Sequence, residues 1–171
     1  MAKFPTEVEE SILVRAPLKT VYAFLWDVPG SAVCIPGIAS CEAVGKDTYC
    51  FTYQERSAGP VRMSVRYTAR YRGNGKDRID FQGIDAPGDN TAVEGHITLT
   101  PAGDGGTKII LKQMLAPDTP VPRLLQRFIE SYVTEEARAA VRAYLANVRQ
   151  ALEQHPAHEP GSGSKPKRKR V

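Results

Sequence analysis

The chain has 171 residues, of which 42% are hydrophobic and 25% are charged, and its formal net charge is +4. Five of its 23 basic residues lie within residues 165–171, which leaves 18 basic and 19 acidic residues in the rest of the chain. These values indicate one near-neutral globular domain with a basic appendage. They argue against two full cores and against a domain whose whole surface is built to bind nucleic acid.

The cysteines and the hydropathy pattern narrow the class of protein further. Cys34, Cys41 and Cys50 are odd in number and lack the spacing of a metal site, so we expect reduced thiols in a cytoplasmic setting. No apolar leader opens the chain and no apolar run is long enough to cross a bilayer. The expected protein is soluble, or at most lies at the inner face of a membrane.

The first third of the chain predicts one strand and two short helical segments. Residues 6–14 alternate weakly between apolar and polar side chains, which fits a strand. Pro17 is expected to start a short helix that Pro29-Gly30 ends, and residues 31–36 add another helical turn.

Six further runs alternate between apolar and polar residues, and turn signals rich in glycine separate them, as in an antiparallel meander. The predicted strands are residues 38–44, 48–56, 61–72, 77–84, 91–100 and 107–115. In residues 61–72 the apolar side chains share one parity and four arginines share the other. One face of that strand is therefore expected to form a core or cavity wall, and the other to be solvent-exposed and basic.

A long amphipathic helix is predicted from about Thr119 to Glu153, with Thr119 as a hydroxyl cap and Pro120 at the first helical position. The apolar residues of its two halves centre roughly 160° apart at ~100° per residue. A bend near Thr134 and a gently curved helix with a drifting apolar stripe both fit this pattern.

Motifs of a catalytic centre are missing from the sequence. It contains no nucleophile elbow, P-loop, HExxH or paired Cys-x-x-Cys, and we predict no catalytic residues, no metal and no cofactor. The parity of residues 91–100 places His96 on the outer face of the sheet. Inward-facing Tyr49, Tyr53, Tyr67 and Gln113 are the polar groups able to orient a substrate, and packing of those tyrosines in the core is an equal alternative.

Residues 6–153 resemble the START/polyketide-cyclase superfamily (SRPBCC), which has the helix-grip fold, and within it the proteins similar to the G-subunit of carbon monoxide dehydrogenase. The resemblance rests on Val14-Arg15-Ala16-Pro17, Val21-Tyr22-Ala23-Phe24-Leu25, Ile35-Pro36-Gly37-Ile38, Cys41-Glu42, Gly59-Pro60 and Gly106-Thr107. It implies an α+β fold in which a curved, seven-stranded antiparallel sheet with two short helices after its first strand grips a long C-terminal helix. A hydrophobic cavity then lies between sheet and helix.

The resemblance also implies what the cavity holds. We expect a binding or carrier protein for a quinone or lipid-like ligand that serves membrane association of a molybdenum hydroxylase. The ligand would lie between the sheet and the first half of the long helix. The alternative is a polyketide cyclase-like or hydrolase-like enzyme that acts on an aromatic substrate. The residues expected to line the cavity are Phe24, Trp26, Tyr49, Phe51, Tyr53, Met63, Val65, Tyr67, Phe81, Ile97, Leu111, Gln113, Leu125, Phe128 and Tyr132.

The charged surfaces give two further expectations. Arg62, Arg66 and Arg70 form an outer row that we interpret as a solvated strand face balanced by nearby acids. Residues 1–154 are predicted to form the ligand-binding domain, and residues 155–171 a flexible linker with a polybasic tail. That tail (Lys165, Lys167, Arg168, Lys169 and Arg170) would tether the chain to an anionic membrane or a partner, with nucleic acid disfavoured. An engineered peptide after a Gly-Ser linker is the alternative origin of the tail.

Overall fold

The main structural feature is a large antiparallel sheet whose strands follow the alternating runs of the sequence. The structure, a computed structural model, describes residues 2–154. Its strands are β1 (Ala2–Lys3), β2 (Thr6–Val14), β3 (Ile38–Gly45), β4 (Thr48–Tyr53), β5 (Arg56–Ala58), β6 (Val61–Met63), β7 (Arg66–Gly73), β8 (Arg78–Ile84), β9 (Thr91–Pro101) and β10 (Thr107–Thr119). The helices are α1 (Leu18–Trp26), α2 (Val28–Ala32) and α3 (Gln126–Gln154), with short 3-10 turns at Gly103–Gly105 and Arg123–Leu125. The predicted order of elements is confirmed.

Eight strands form the main sheet, in the order β1-β10-β9-β8-β7-β4-β3, with β2 also paired to β10. All pairs are antiparallel, as expected for strands joined by short turns. The predicted seven-stranded sheet is confirmed, and the two-residue strand β1 adds an eighth by pairing with the end of β10.

Two predicted strands are each split in the structure. The runs 48–56 and 61–72 contribute β4 and β7 to the main sheet, while β5 and β6 form a separate two-stranded hairpin. The Asn90 side chain holds the break open. Its amide donates to the Ser64 carbonyl at 2.8 Å, and its carbonyl oxygen accepts from the Arg66 N–H at 2.9 Å. These bonds satisfy backbone groups that the sheet would otherwise pair.

The prediction that Pro29-Gly30 ends the first helix is wrong. Helix α1 ends at Trp26, and Pro29 and Gly30 lie inside α2. Asp27 caps α2 because its carboxylate accepts from the Gly30 N–H at 3.3 Å. Proline fits this first turn, where its missing N–H has no helical partner to lose.

The predicted start of the long helix is also wrong. Thr119 is buried in β10 opposite Ala2, and a 3-10 turn after Pro122 precedes α3, which begins at Gln126. Tertiary pairing with the N-terminal strand therefore overrides the local cap signal. Helix α3 then continues without a break through Thr134, whose hydroxyl donates to the Glu130 carbonyl at 3.0 Å. Its 29 residues span about 43 Å at 1.5 Å per residue.

The two halves of α3 pack against different apolar clusters. We call the larger one the main core; it joins the inner face of the sheet, α1 and α2 to Val141, Leu145, Val148 and Leu152 of α3. We call the smaller one the satellite cluster, and it consists of Phe4, Ala58, Val61 and Ile129, with Met63, Val121, Leu125, Tyr132 and Val133 packed against them. The second half of α3 therefore covers the sheet, and the first half covers the β5–β6 hairpin.

Polar contacts fasten the second half of α3 at three points. Arg142 pairs with Glu10 at 3.0 Å, Asn147 donates to the Cys34 carbonyl at 2.9 Å, and Glu153 accepts from the Arg15 N–H at 3.0 Å. In the first half, the ion pair to the hairpin joins Arg56 and Glu136 at 2.6 Å. The predicted linker and polybasic tail, residues 155–171, lie outside the described residues.

Candidate functional site

A cavity of about 80 Å³ lies between the inner face of the sheet and α3. Tyrosines from β4 and β7 face it on one side, residues of β8, β9 and β10 form its floor, and α3 closes it. Its lining residues are Ile35, Tyr53, Tyr67, Tyr71, Phe81, Ile97, Leu111, Gln113, Ala140, Val141 and Tyr144. No carboxylate, histidine or basic side chain is among these lining residues.

The floor of the cavity is set by a row of three residues on neighbouring strands. Phe81 on β8 lies opposite Gly95 on β9, and Gly95 lies opposite Gln113 on β10. A Cβ atom at position 95 would lie 2.6 Å from Cζ of Phe81 and 2.9 Å from Cα of Gln113. Because glycine has no side chain at position 95, the edge of the Phe81 ring can occupy that space.

A connected layer of aromatic rings lies on the cavity side of the sheet, and Tyr67, Tyr71 and Phe81 of that layer line the cavity. Phe51 stacks on Tyr67 with centroids 4.9 Å apart, and Tyr71 stacks on Phe81 at 5.5 Å. Tyr71 also contacts Phe51 at 6.3 Å and meets Tyr49 edge to face at 5.7 Å. The alternation of β4, β7 and β8 places all these rings on one face of the sheet. They form a broad apolar surface on the inner face of the sheet.

Four phenol groups give this apolar wall its polar contacts. The hydroxyls of Tyr53 and Tyr67 lie 3.3 Å apart, and either one can donate to the other. Burial raises the pKa of Tyr53 and Tyr144, and it holds the pKa of Tyr67 and Tyr71 well above that of a free phenol. The four groups are therefore neutral near pH 7. They donate and accept hydrogen bonds but do not act as bases.

The thiols near the cavity are also held in their protonated form. Burial, reinforced by Cys50 and Glu42, raises the pKa of Cys41 to about 11, and burial raises that of Cys34. All three cysteines are free, as predicted. A thiol with a raised pKa is a weak nucleophile, because the thiolate is the reactive species. The geometry thus provides shape and hydrogen bonding for a neutral molecule, and no acid–base pair.

The structure brings together six of the fifteen predicted cavity residues, namely Tyr53, Tyr67, Phe81, Ile97, Leu111 and Gln113. Five others, Phe24, Trp26, Tyr49, Phe51 and Val65, belong to the main core or pack against it without lining the cavity. Met63, Leu125 and Tyr132 pack against the satellite cluster, and Phe128 is 57% exposed. The expected position of the cavity under the first half of α3 is wrong, because the cavity touches α3 at Ala140, Val141 and Tyr144.

Five lining residues were missed by the sequence analysis: Ile35, Tyr71, Ala140, Val141 and Tyr144. Tyr71 shares the parity of Tyr67 and could have been included on that ground. Ala140, Val141 and Tyr144 lie on the second apolar stripe of the helix, and only packing shows which stripe faces the sheet.

Larger grooves lie on the outer face of the sheet, but they are open and lined by charged side chains. His96 borders one of about 510 Å³ with Glu94 and Lys112, which confirms its predicted outer position. In the arginine row, Arg62 lies 3.7 Å from Glu55, and Arg66 lies 3.4 Å from Asp89. The row is partly balanced by acids, as expected.

Two kinds of feature are absent from residues 2–154. Within that part of the chain no group of three or more His, Cys, Asp or Glu side chains is arranged to hold a metal ion. Among the helices described there, none is both long enough and apolar enough to cross a membrane.

Comparison with solved structures shows the same fold in several proteins of low sequence identity. A conserved protein from Geobacillus kaustophilus is 20% identical, with a TM-score of 0.65 over 87% of this chain and 96% of that one. A START superfamily protein from Mycobacterium smegmatis is 14% identical, with a TM-score of 0.62 over 85% and 98% of the two chains. The Zhui aromatase/cyclase from a Streptomyces species is 16% identical, with a TM-score of 0.65 over 92% and 99%.

No curated protein matches the sequence significantly. The sequence profile described as polyketide cyclase/dehydrase and lipid transport, in contrast, matches residues 5–153, nearly the whole described chain. This match shows that the chain belongs to the polyketide cyclase/dehydrase and lipid transport family, and its helix-grip fold is the one seen in the START superfamily protein.

Proposed function

We propose that the chain is a binding or carrier protein that holds a neutral, largely apolar small molecule between its sheet and α3. The observation that carries this proposal is the lining of the cavity, which combines aromatic and aliphatic side chains with neutral phenols and one amide. An apolar pocket with a few convergent polar groups is typical of small-molecule sites. A charged ligand would lack a counter-ion there, and its desolvation would be costly.

The ligand class that suits these groups carries carbonyl or hydroxyl oxygen on an apolar body, as a quinone or lipid-like molecule does. One hydroxyl of the Tyr53–Tyr67 pair donates to the other, which leaves the second proton of the pair free for a ligand oxygen. The Gln113 amide offers a donor and an acceptor at the floor. Stacking on the aromatic wall would then orient a flat ring.

The resemblance to the G-subunit of carbon monoxide dehydrogenase extends the proposal to a partner. In that role the chain would exchange its ligand between an anionic membrane and a molybdenum hydroxylase complex, in the cytoplasm or at the inner face of the membrane. Residues 165–171 would act as a weak tether. Five basic residues contribute at most ~5 kcal/mol near an anionic surface, which is a reversible attachment.

Ligand binding requires the cavity to expand. Its volume of about 80 Å³ lies well below the ~300–1,000 Å³ of sites that enclose drug-sized molecules. The second half of α3 is fastened to the main core, whereas the first half rests on the small satellite cluster and the exposed ion pair of Arg56 and Glu136. We therefore propose that the first half of α3 and the β5–β6 hairpin move apart to admit the ligand.

Extraction of the purified protein with organic solvent, followed by mass spectrometry, tests the proposal most directly. We expect an apolar molecule in stoichiometric amount, or stabilisation of the emptied protein by an added quinone or lipid. An empty extract together with no stabilisation by either class would contradict it.

A matched pair of variants, each with one alanine replaced by leucine, tests whether the ligand lies in this cavity. Ala140→Leu places a larger side chain in the cavity, whereas Ala146→Leu adds the same group at an exposed position of the same helix. Retention should fall only in the first variant. Equal retention in both would place the ligand elsewhere.

The second candidate function is an enzyme acting on a polyketide-like aromatic. The fold shared with aromatase/cyclases and the buried Tyr53–Tyr67 pair favour it, because a phenol can deliver a proton or polarise a carbonyl. Turnover of a candidate substrate that is lost in Tyr53→Phe and Tyr67→Phe, but kept in Tyr49→Phe, would support catalysis. Loss of binding without any turnover in the parent protein would support the carrier.

A further inference from the structure

An exposed apolar pair, Leu124 in the 3-10 turn before α3 and Phe128 in the first turn of α3, flanks the stripe that packs against the satellite cluster. Leu124 is 97% exposed and Phe128 is 57% exposed, and they are the two most C-terminal of the five large apolar side chains that the described chain exposes. Their spacing of four residues places them on one face, a single helical turn apart. Large apolar side chains that stand together on the surface mark contact sites more often than isolated ones do.

Neither side chain can turn inward to relieve this exposure. Leu125 packs against the satellite cluster, and Ile129 is fully buried within it, so the inner stripe of this segment is already filled. Leu124 and Phe128 each precede one of these residues and lie roughly 100–120° around the segment from them, since Leu124 belongs to the 3-10 turn and Phe128 to α3. The apolar surface therefore continues from the buried stripe out to solvent.

Arginines edge the exposed pair on its other side. Arg123 and Arg127 are exposed, lie a further 100° or so around the helix, and make no ion pair with any residue that the structure describes. The nearest acid in the sequence, Glu130, comes three residues after Arg127 and seven after Arg123, so it lies on the arginine side of the helix and not beside Phe128. A stripe of large apolar side chains bordered by arginine is the arrangement of helices that lie in a membrane interface.

We propose that Leu124 and Phe128, with Arg123 and Arg127, form a docking surface for an anionic lipid bilayer. The apolar pair enters the boundary between headgroups and acyl chains, while the arginine stems extend along it and keep their guanidinium groups among the phosphates. A second copy of the chain fits less well. A two-fold contact centred on this patch would bring the arginines of both copies together, with one acid, Glu130, beside two arginines on this side of the helix in each copy.

The consequence concerns the part of the protein that closes the cavity. The patch lies on the outer side of the same helical segment whose inner side rests on the satellite cluster. Binding of lipid to the outer side would bias that segment away from its position over the hairpin. The inference rests on the proposed membrane partner but not on the proposed ligand, since vesicle binding is measured with no ligand added.

The test uses the full chain and vesicles of phosphatidylcholine with or without phosphatidylserine. We expect sedimentation with the anionic vesicles, and a loss of about 10-fold or more in Leu124→Ser/Phe128→Ser, since both side chains then lose their apolar contact. The matched control is Leu13→Ser/Val33→Ser, which removes two other exposed apolar side chains (61% and 76% exposed) and should bind as the parent does. Melting temperatures of both variants check that neither is unfolded.

Two more measurements exclude other sources of binding. In Phe128→Trp, brominated lipids should quench fluorescence beyond that of the parent, which has Trp26 as its single tryptophan. Deleting residues 165–171 removes any contribution of the basic tail to vesicle binding. In that truncated protein, Leu124→Ser/Phe128→Ser should weaken binding further. Equal vesicle binding by parent and serine variants, or absent quenching at position 128, would overturn the proposal. So would a dimer in sedimentation velocity that the serine variant dissolves, because that result assigns the patch to a second copy.

Discussion

Replacing Gly95 by alanine should destabilise the fold and reduce the cavity at the same time. The added Cβ would lie 2.6 Å from Cζ of Phe81 and closer still to the carbonyl oxygen of Lys112. Carbon atoms in contact prefer about 3.5–4.0 Å, so the ring edge must retreat by roughly 1 Å. The carbonyl belongs to the neighbouring strand β10 and cannot move without disturbing the ladder. Part of the clash will therefore remain.

The magnitude follows from two opposing effects. Overpacking a core costs about 1–3 kcal/mol, whereas replacing glycine by alanine recovers only ~0.4–1 kcal/mol by restricting the unfolded chain. The clash involves both a ring and a backbone atom, so we expect a net loss of about 2 kcal/mol in the free energy of unfolding. For a chain of this size that loss corresponds to a fall of roughly 4–8 °C in melting temperature.

Urea unfolding followed by Trp26 fluorescence measures the effect, and Gly103→Ala is the matched control. A Cβ at position 103 would meet nothing within 4 Å, so that variant should stay within about 0.5 kcal/mol of the parent. Ligand retention should also fall in Gly95→Ala, since a displaced Phe81 ring moves into the cavity. If both glycine variants unfold at the same urea concentration, the space at Gly95 is not needed and the account of the floor is wrong.

Three other outcomes are expected. Ile129→Ala should loosen only the first half of α3, with faster amide exchange there and faster ligand uptake. Leu145→Ala should instead lower the global free energy of unfolding by about 2–5 kcal/mol. Equal amide-exchange profiles in the two variants would contradict the division of the helix into two halves. The buried phenols have folded pKa values above the unfolded value of about 10, so their stabilising contribution is complete below pH 10 and is lost as pH rises towards the folded values. Unfolding measured from pH 7 to pH 12 checks this, and a flat profile above pH 10 would refute it. Cys41 should react with iodoacetamide at neutral pH roughly 100-fold more slowly in the folded protein than in the urea-unfolded chain, because its pKa of about 11 leaves less thiolate than the ordinary value of 9.0 does. Equal reaction rates in the folded and unfolded chains would show that the folded protein holds an accessible thiolate.

The strands could be predicted because their determinants are local. Alternation in residues 61–72 placed Tyr67 and Tyr71 on the inner face, and the structure confirms that parity. The period of two in a strand assigns every side chain to a face once one is known. This rule put on the inner face six residues that line the cavity, whereas the expectation of a cavity there came from the family resemblance.

What could not be predicted depends on contacts between distant parts of the chain. The break between β6 and β7 is held by Asn90, and nothing in residues 61–72 signals it. The cap signal at Thr119 was overridden by pairing with the N-terminal strand. The role of Gly95 arises from crowding by Phe81 and Lys112, which belong to two other strands. In each case contacts between distant parts of the chain decided the outcome, either against the local signal or where no local signal exists.

The two apolar stripes of α3 pack against different clusters, and the cavity lies beside only one of them. A single stripe would press the whole helix against one core, and access to the cavity would require its full release. Here the second stripe binds the main core through Val141, Leu145 and Val148, while the first stripe binds the much smaller satellite cluster through Ile129. Stability differs between regions of a fold according to how much apolar surface each one buries. The proposed opening therefore involves the first half of α3, while the second half keeps Tyr144 against the tyrosines of the sheet. The proposed carrier would need that combination to load and release its ligand without unfolding.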